Sequence, residues 1–274
     1  MKLITIFSFL IFGILIKAQN KRFIYEYKFI PDSANISDIK TEIMNLDTSP
    51  TESKFYSYSV YKSDSIMKVD LEKQLANTGM INIKSDQNKG SVMYSVSKDY
   101  PDYKVFLHNQ LLADQYKISD DRKIIWKISS DKQKIGEWNT QKAETEFGGR
   151  KWVAWFAPDI PIQDGPYKFH GLPGLIVKLE DNTKSHVFNL QGVKNIKEIP
   201  SNIFRMKEIN VNQKQYEKLL KEYENDPTKG RRQIQTGGIT IMMKEGAGND
   251  MKAQELRIKE RIKKNNNRIE LVTK

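Results

Sequence analysis

The chain has 274 residues, of which 38% are hydrophobic and 29% charged, and its formal net charge is +11. That is apolar material enough for a packed core, and it excludes an intrinsically disordered chain. There is no cysteine, which excludes disulfides, thiolate catalysis, thiolate metal sites and the lipid-bearing cysteine of a bacterial lipoprotein.

The first residues read as a targeting segment. Met1-Lys2 carries the positive charge, Leu3 to Ile16 is almost unbroken apolar sequence, and Lys17-Ala18-Gln19 follows. A short apolar run ending at a small residue predicts a secretory signal cleaved after Ala18. A membrane-spanning helix needs about 20 apolar residues, and no later stretch approaches that. The expectation is a mature chain outside the cytoplasm, in the periplasm or outer envelope, that does not span a membrane. Loss of Lys2 and Lys17 brings the charge down from +11 to +9. Export argues against a nucleic-acid partner. A basic exported surface suits anionic lipid headgroups, lipopolysaccharide, acidic polymers or plain water.

Phe23, Tyr25, Tyr27 and Phe29 alternate and share one face of a strand that Pro31-Asp32 ends. A second strand fits Glu42 to Leu46. Ser53 is a candidate cap for a helix starting near Lys54 and running through Leu75, with a loose 3.6-residue pattern. From Met80 to Ile135 the period becomes two. Val92, Tyr94 and Val96 alternate, as do Tyr103, Val105 and Leu107. Short polar turns separate them, which predicts an antiparallel meander. Gly148-Gly149 signals a two-residue hairpin into a strand from Arg150 to Phe156, apolar on both faces.

Pro158 to Ile176 carries four prolines and three glycines, so no helix runs through it. Leu172-Pro173-Gly174-Leu175 reads as a type II turn, with Gly174 at the position that requires φ > 0. Both corners of that turn are leucine. It is either pinned under the rest of the protein or offered to a partner. Leu175 to Leu179 and His186 to Val193 form a further hairpin. Gln213 to Glu224 is an amphipathic helix capped by Asn212 and stopped by Asp226-Pro227. Lys229 to Asp250 reads as a mobile loop, and 250–264 as a charged helix with a frayed end.

Gly171-Leu172-Pro173-Gly174-Leu175-Ile176 is the six-letter signature that names the GLPGLI family of exported Bacteroidetes proteins, which this chain resembles. Phe147-Gly148-Gly149-Arg150, Ala154-Trp155, Ile160-Pro161-Ile162, Asp164-Gly165-Pro166, Lys168-Phe169 and the tail Lys264 to Asn267 with Ile269-Glu270-Leu271 also match. The tail departs at Arg268, where the family pattern has proline. The resemblance implies export, a single β-rich domain, no established catalytic residues and a frequent genomic setting near outer-membrane receptors.

Motifs that carry chemistry are few. His108, His170 and His186 have no metal-ligand spacing. His170 beside Asp159 or Asp164 is a candidate general base, but no Gly-x-Ser-x-Gly motif is present. Met242, Met243 and Met251 are soft ligands of the kind that select copper(I), and methionine is equally ordinary core filler. No metal or cofactor is expected. Four tryptophans, twelve tyrosines and twelve phenylalanines suit either a sheet curled round an apolar ligand or a filled core.

These observations predict an α+β fold, mainly β: a strongly curved antiparallel sheet or half-barrel with packed helices, the alternative being a two-sheet β-sandwich. The expected divisions are a signal peptide at 1–18, a β-rich domain at 19–227, and a mobile loop with a charged helix and tail at 228–274. The expected function is a non-enzymatic binding or accessory protein of an outer-membrane system, with an outer-membrane protein or an apolar or lipid ligand as partner. Trp155, Pro166, Phe169, His170, Leu172, Pro173, Gly174 and Leu175 are the candidate binding residues. A hydrolase built on His170 and a copper handler are the alternatives.

Overall fold

The computed structural model describes residues 19–78, 89–111, 114–201, 207–227 and 247–271. In chain order the elements are β1 (Lys21–Phe29), β2 (Lys40–Thr48), β3 (Glu52–Ser57), α1 (Tyr58–Thr78), β4 (Ser95–Asp99), β5 (Lys104–Leu111) and β6 (Asp114–Asp120). Then come β7 (Lys127–Ile135), β8 (Trp138–Phe147), β9 (Arg150–Ala157), β10 (Leu175–Asp181), β11 (His186–Asn195), β12 (Glu208–Asn212), α2 (Gln213–Asn225) and α3 (Ala247–Lys264).

All twelve strands hydrogen-bond into one sheet, in the order β12-β6-β5-β4-β3-β2-β1-β11-β10-β9-β8-β7. The two-sheet alternative does not form. The sheet is two antiparallel meanders, β1 to β6 and β7 to β11, sewn together where β1 pairs with β11. The ladder continues across that seam because Tyr27 lies opposite Phe188, the two rings stacked at 4.1 Å. Among the described strands only β12 runs parallel to its neighbour, β6. Mainly β with helices is therefore the correct class.

The alternation in β1 does what the sequence implies, burying Phe23, Tyr25 and Tyr27. The Gly148-Gly149 hairpin forms with both glycines left-handed, at φ 59° and 74°, as a type I′ turn demands. The helix expected from Lys54 is displaced. Residues 52–57 are a strand paired on both sides, Phe55 opposite Leu46 and Val96. A helix there would leave two strand edges unpaired. The cap is Ser57, whose Oγ accepts from the Val60 N–H at 3.2 Å. α2 starts where the sequence places it. Asn212 accepts from the Gln215 N–H and Gln215 accepts from the Asn212 N–H, each at 2.9 Å, a capping box. Among the described residues no helix is long and apolar enough to cross a membrane.

The end of the chain was expected to fray. Residues 265–271 are instead tied to the sheet. Asn267 N–H donates to Pro31 O at 3.0 Å and Leu271 N–H to Gly148 O at 2.8 Å. The Asn267 side chain donates to Ile30 O and accepts from Arg150.

Candidate functional site

Residues 158–174 link β9 to β10, and they are the most deeply buried connection in the described structure. Phe169 and Leu172 are 0% and 1% exposed. The segment is fixed by its own backbone. Leu175 N–H donates to Ile160 O, Ile176 N–H to Asp164 O and Gly171 N–H to Gln163 O, at 2.9–3.1 Å. The type II turn does not close. Gly174 N–H donates to Leu172 O at 2.8 Å, a three-residue turn about Pro173, while Leu175 N–H turns away to Ile160. Glycine is still required, for two reasons. Its φ is +152°, and a Cβ on Gly174 would stand 2.3 Å from Ala157 O. Gly174→Ala is therefore expected to destabilise by about 3 kcal/mol or more. Pro173→Ala, at an exposed position, should cost under about 1 kcal/mol. Equal midpoints for the two variants in denaturant unfolding would overturn this reading.

Two buried ion pairs hold the segment from opposite sides. Asp164 meets Lys98 of β4 at 2.5 Å, and the two side chains are 0% and 1% exposed. Lys98 Nζ also donates to Gly165 O at 2.9 Å, and Tyr100 donates its hydroxyl proton to Asp164. Burial opposes ionisation of Asp164, but the Lys98 charge and these donors hold its carboxyl below the usual carboxylate range. Four residues on, Lys168 Nζ reaches Asp120 at 2.7 Å and Glu270 of the tail at 2.6 Å. Arg122 closes the second cluster, 2.5 Å from Asp120 and 2.6 Å from Glu270. Tyr167, itself at φ 55°, donates to Glu270 at 2.5 Å.

The tail, Tyr167 of this segment, α2 and the sheet line a half-open cavity of about 460 Å³. Tyr27, Tyr94, Tyr167 and Tyr216 face it beside Val92, Leu107, Leu111 and Leu220. Among its polar neighbours is His186. Its Nε2–H donates to Asn267 O at 3.1 Å, which fixes Nδ1 as the acceptor of the Tyr27 hydroxyl at 2.7 Å. Burial, with Arg150 adding to it, pushes the His186 imidazole down to about 4. An unfolded histidine titrates near 6.5. Between those values the unfolded state binds more protons, so stability falls as pH drops from about 6.5 to about 4. The loss is up to about 3 kcal/mol. His186→Gln, which keeps a donor and an acceptor, should flatten that window in a pH series of thermal melts. An unchanged slope would contradict the assignment.

The predicted binding residues are not one surface. Pro166, Phe169, Leu172, Gly174 and Leu175 are buried, Trp155 and His170 are half-buried, and Pro173 is exposed. None of the eight lines the cavity. His170 Nδ1–H donates to Lys168 O at 2.9 Å, and its ring stacks on Tyr103 at 4.8 Å. Burial lowers its pKa. It meets Asp164 through a backbone bridge, while the Asp164 carboxylate is engaged with Lys98, and Asp159 is exposed. Met242 and Met243 lie outside the described residues, as does the Met251 side chain. No cluster of three metal-ligating His, Asp or Glu side chains occurs among the described residues.

One arrangement escaped sequence reasoning entirely. Ser97, His108 and Glu208 come from β4, β5 and β12. Ser97 Oγ is 2.8 Å from His108 Nε2, and His108 Nδ1–H donates to Glu208 at 2.7 Å. These are the distances of a nucleophile, a base and an orienting carboxylate. A cavity of about 230 Å³ adjoins His108 and Glu208, but Ser97 does not line it. Ser97 is half-buried and its hydroxyl lies outside that cavity, so the trio reads as a polar chain that links β4 and β5 to β12 across β6.

A family model described as a protein of unknown function (Porph_ging) matches residues 144–178, from β8 through the buried segment into β10. Solved structures of PNGF-II in two space groups are similar to the chain, each with a TM-score of 0.54 and 17% identity. Each likeness covers 76% of this chain and 34% of that one, so the chain spans about a third of that protein's length. At this identity the likeness is one of fold. Curated proteins give no match.

Proposed function

We propose that this chain is an exported, non-enzymatic binding or accessory protein of the periplasm or outer envelope, of GLPGLI type, that serves an outer-membrane system by holding a ligand in the 460 Å³ cavity. The cavity is the observation that carries the reading. Sites for small ligands are concave, mostly apolar and largely preformed, and this one has walls of tyrosine and leucine fixed by a docked tail. Export is supported by the leader at 1–18, which lies outside the described residues. Lys21 already pairs with Thr48 and Asn195, so cleavage after Ala18 would leave every described strand intact.

A strongly curved, half-barrel sheet belongs to the same proposal, and chain connectivity supports it. Ten strand-to-strand steps separate β6 from β7. Laid flat, they would span about 48 Å. Yet residues 121–126 alone join the two strands, and the seven Cα steps from Asp120 to Lys127 reach at most about 25 Å. The Lys98–Asp164 pair between β4 and the β9–β10 segment draws the sheet inward in the same sense.

The test has two parts. N-terminal sequencing of the exported protein should begin at Gln19; an intact Met1 would restore an anchored form. Mature protein incubated with envelope extract and examined by native mass spectrometry should retain a small-molecule adduct. Leu220→Trp, which places an indole in the cavity, should lose it. No adduct, or the same adduct on the variant, would contradict the binding reading.

A further inference from the structure

The charges that line the cavity do not cancel. Arg122 and Lys168 face Asp120 and Glu270, two cations against two carboxylates. Arg268 pairs with Glu224. His186 adds no charge near pH 7, its imidazole lowered to about 4 by burial. Glu217 is left over. It is half-buried on α2, and its carboxylate accepts from Gln213 Nε2 at 3.1 Å. Among the described residues no cation stands within ion-pair distance of it. Lys214 and Lys221, its neighbours along the helix, are exposed.

Helix geometry directs this charge into the cavity. Gln213, Tyr216, Glu217 and Leu220 follow at i, i+3, i+4 and i+7, so they share one stripe of α2, and all four line the cavity. Glu224 continues the stripe and meets Arg268 of the tail. Glu217, two turns earlier, has no such counterpart. A carboxylate partly withdrawn from water without a counter-charge is unfavourable, and a cationic ligand would relieve it. The walls beside it are aromatic. Phe29 and Tyr94 are half-buried and line the cavity with Tyr27, Tyr167 and Tyr216. Ring faces attract cations, and quaternary ammonium groups are recognised in this way. A metal ion fits less well. Hard cations take several oxygen ligands, and no cluster of three His, Asp or Glu side chains occurs among the described residues.

We infer that the cavity binds an organic cation, a quaternary or alkylated ammonium group held beside the Glu217 carboxylate and against the aromatic wall. This rests on the reading of the cavity as a binding site, and names the class of its ligand.

The test compares choline with 3,3-dimethylbutan-1-ol, the neutral isostere in which carbon replaces the ammonium nitrogen. Each is titrated into the mature chain at low salt and followed by amide chemical shifts. Choline should bind at least about tenfold more tightly than the alcohol and move the amides of Tyr216 and Glu217. Glu217→Gln keeps the acceptor for Gln213 and should leave the melting temperature nearly unchanged. It should weaken choline about fivefold and leave the alcohol as it was. Phe29→Leu, which keeps an apolar wall, should weaken choline about threefold. Equal binding of the two probes, or an unchanged choline affinity in either variant, would overturn the inference. If choline does not bind while the extract adduct persists and remains sensitive to Leu220→Trp, the ligand class is wrong and the binding reading stands. If the adduct is absent as well, both fail.

Discussion

Lys98→Met is expected to lower stability by about 3–5 kcal/mol, and with it the melting temperature by roughly 10 °C. The reason is desolvation. Lys98 and Asp164 are 1% and 0% exposed, so removing the ammonium leaves a carboxylate in the interior facing only Tyr100 and the Gly165 N–H. Lys98→Met/Asp164→Leu should recover much of the loss, because the desolvation penalty goes with the charges. Recovery should be incomplete, since Gly165 N–H and Tyr100 lose their acceptor. A single variant that melts like the parent would mean that the pair is open to water.

Leu172→Asp is the second large effect. Leu172 is 1% exposed at the turn, so aspartate there must either bury an unpaired charge or expel the segment. A loss of about 4 kcal/mol or more is expected, enough to unfold a marginal domain. Circular dichroism of the purified variant would read it. A native melting temperature with lost partner capture would instead make the turn a docking surface.

Much of this was legible in the chain. The alternation at Phe23, Tyr25 and Tyr27, the Gly148-Gly149 hairpin and the cap at Asn212 are local signals, and local physics decides them. The start of α1 was misplaced because Ser53 resembles a cap, while the pairing of residues 52–57 with β2 and β4 is a long-range fact. The turn type was misread for a similar reason. The competing acceptor for Leu175 N–H is Ile160, fifteen residues earlier.

The charged interior was the larger omission, and a signal for part of it existed. Lys98 is in phase with Val96, Asp120 with Tyr116 and Ile118, and Glu42 with Met44 and Leu46. Strand parity puts these charges on the core face. Parity does not name their partners. Lys168 lies in a segment without a period, and Glu270 reaches it from more than a hundred residues away. The cavity was legible only as an excess of aromatics, because periodicity gives faces and not volumes.

Hydrogen exchange across residues 158–177 tests most directly whether this segment is core, which is the condition for placing the binding site in the cavity instead. The amides of Gly171, Leu175 and Ile176, which donate to Gln163, Ile160 and Asp164, should exchange as slowly as those of β9 and β10, opening only with global unfolding. Exchange within seconds, slowed on adding envelope extract, would contradict this and return the segment to the surface as a docking site.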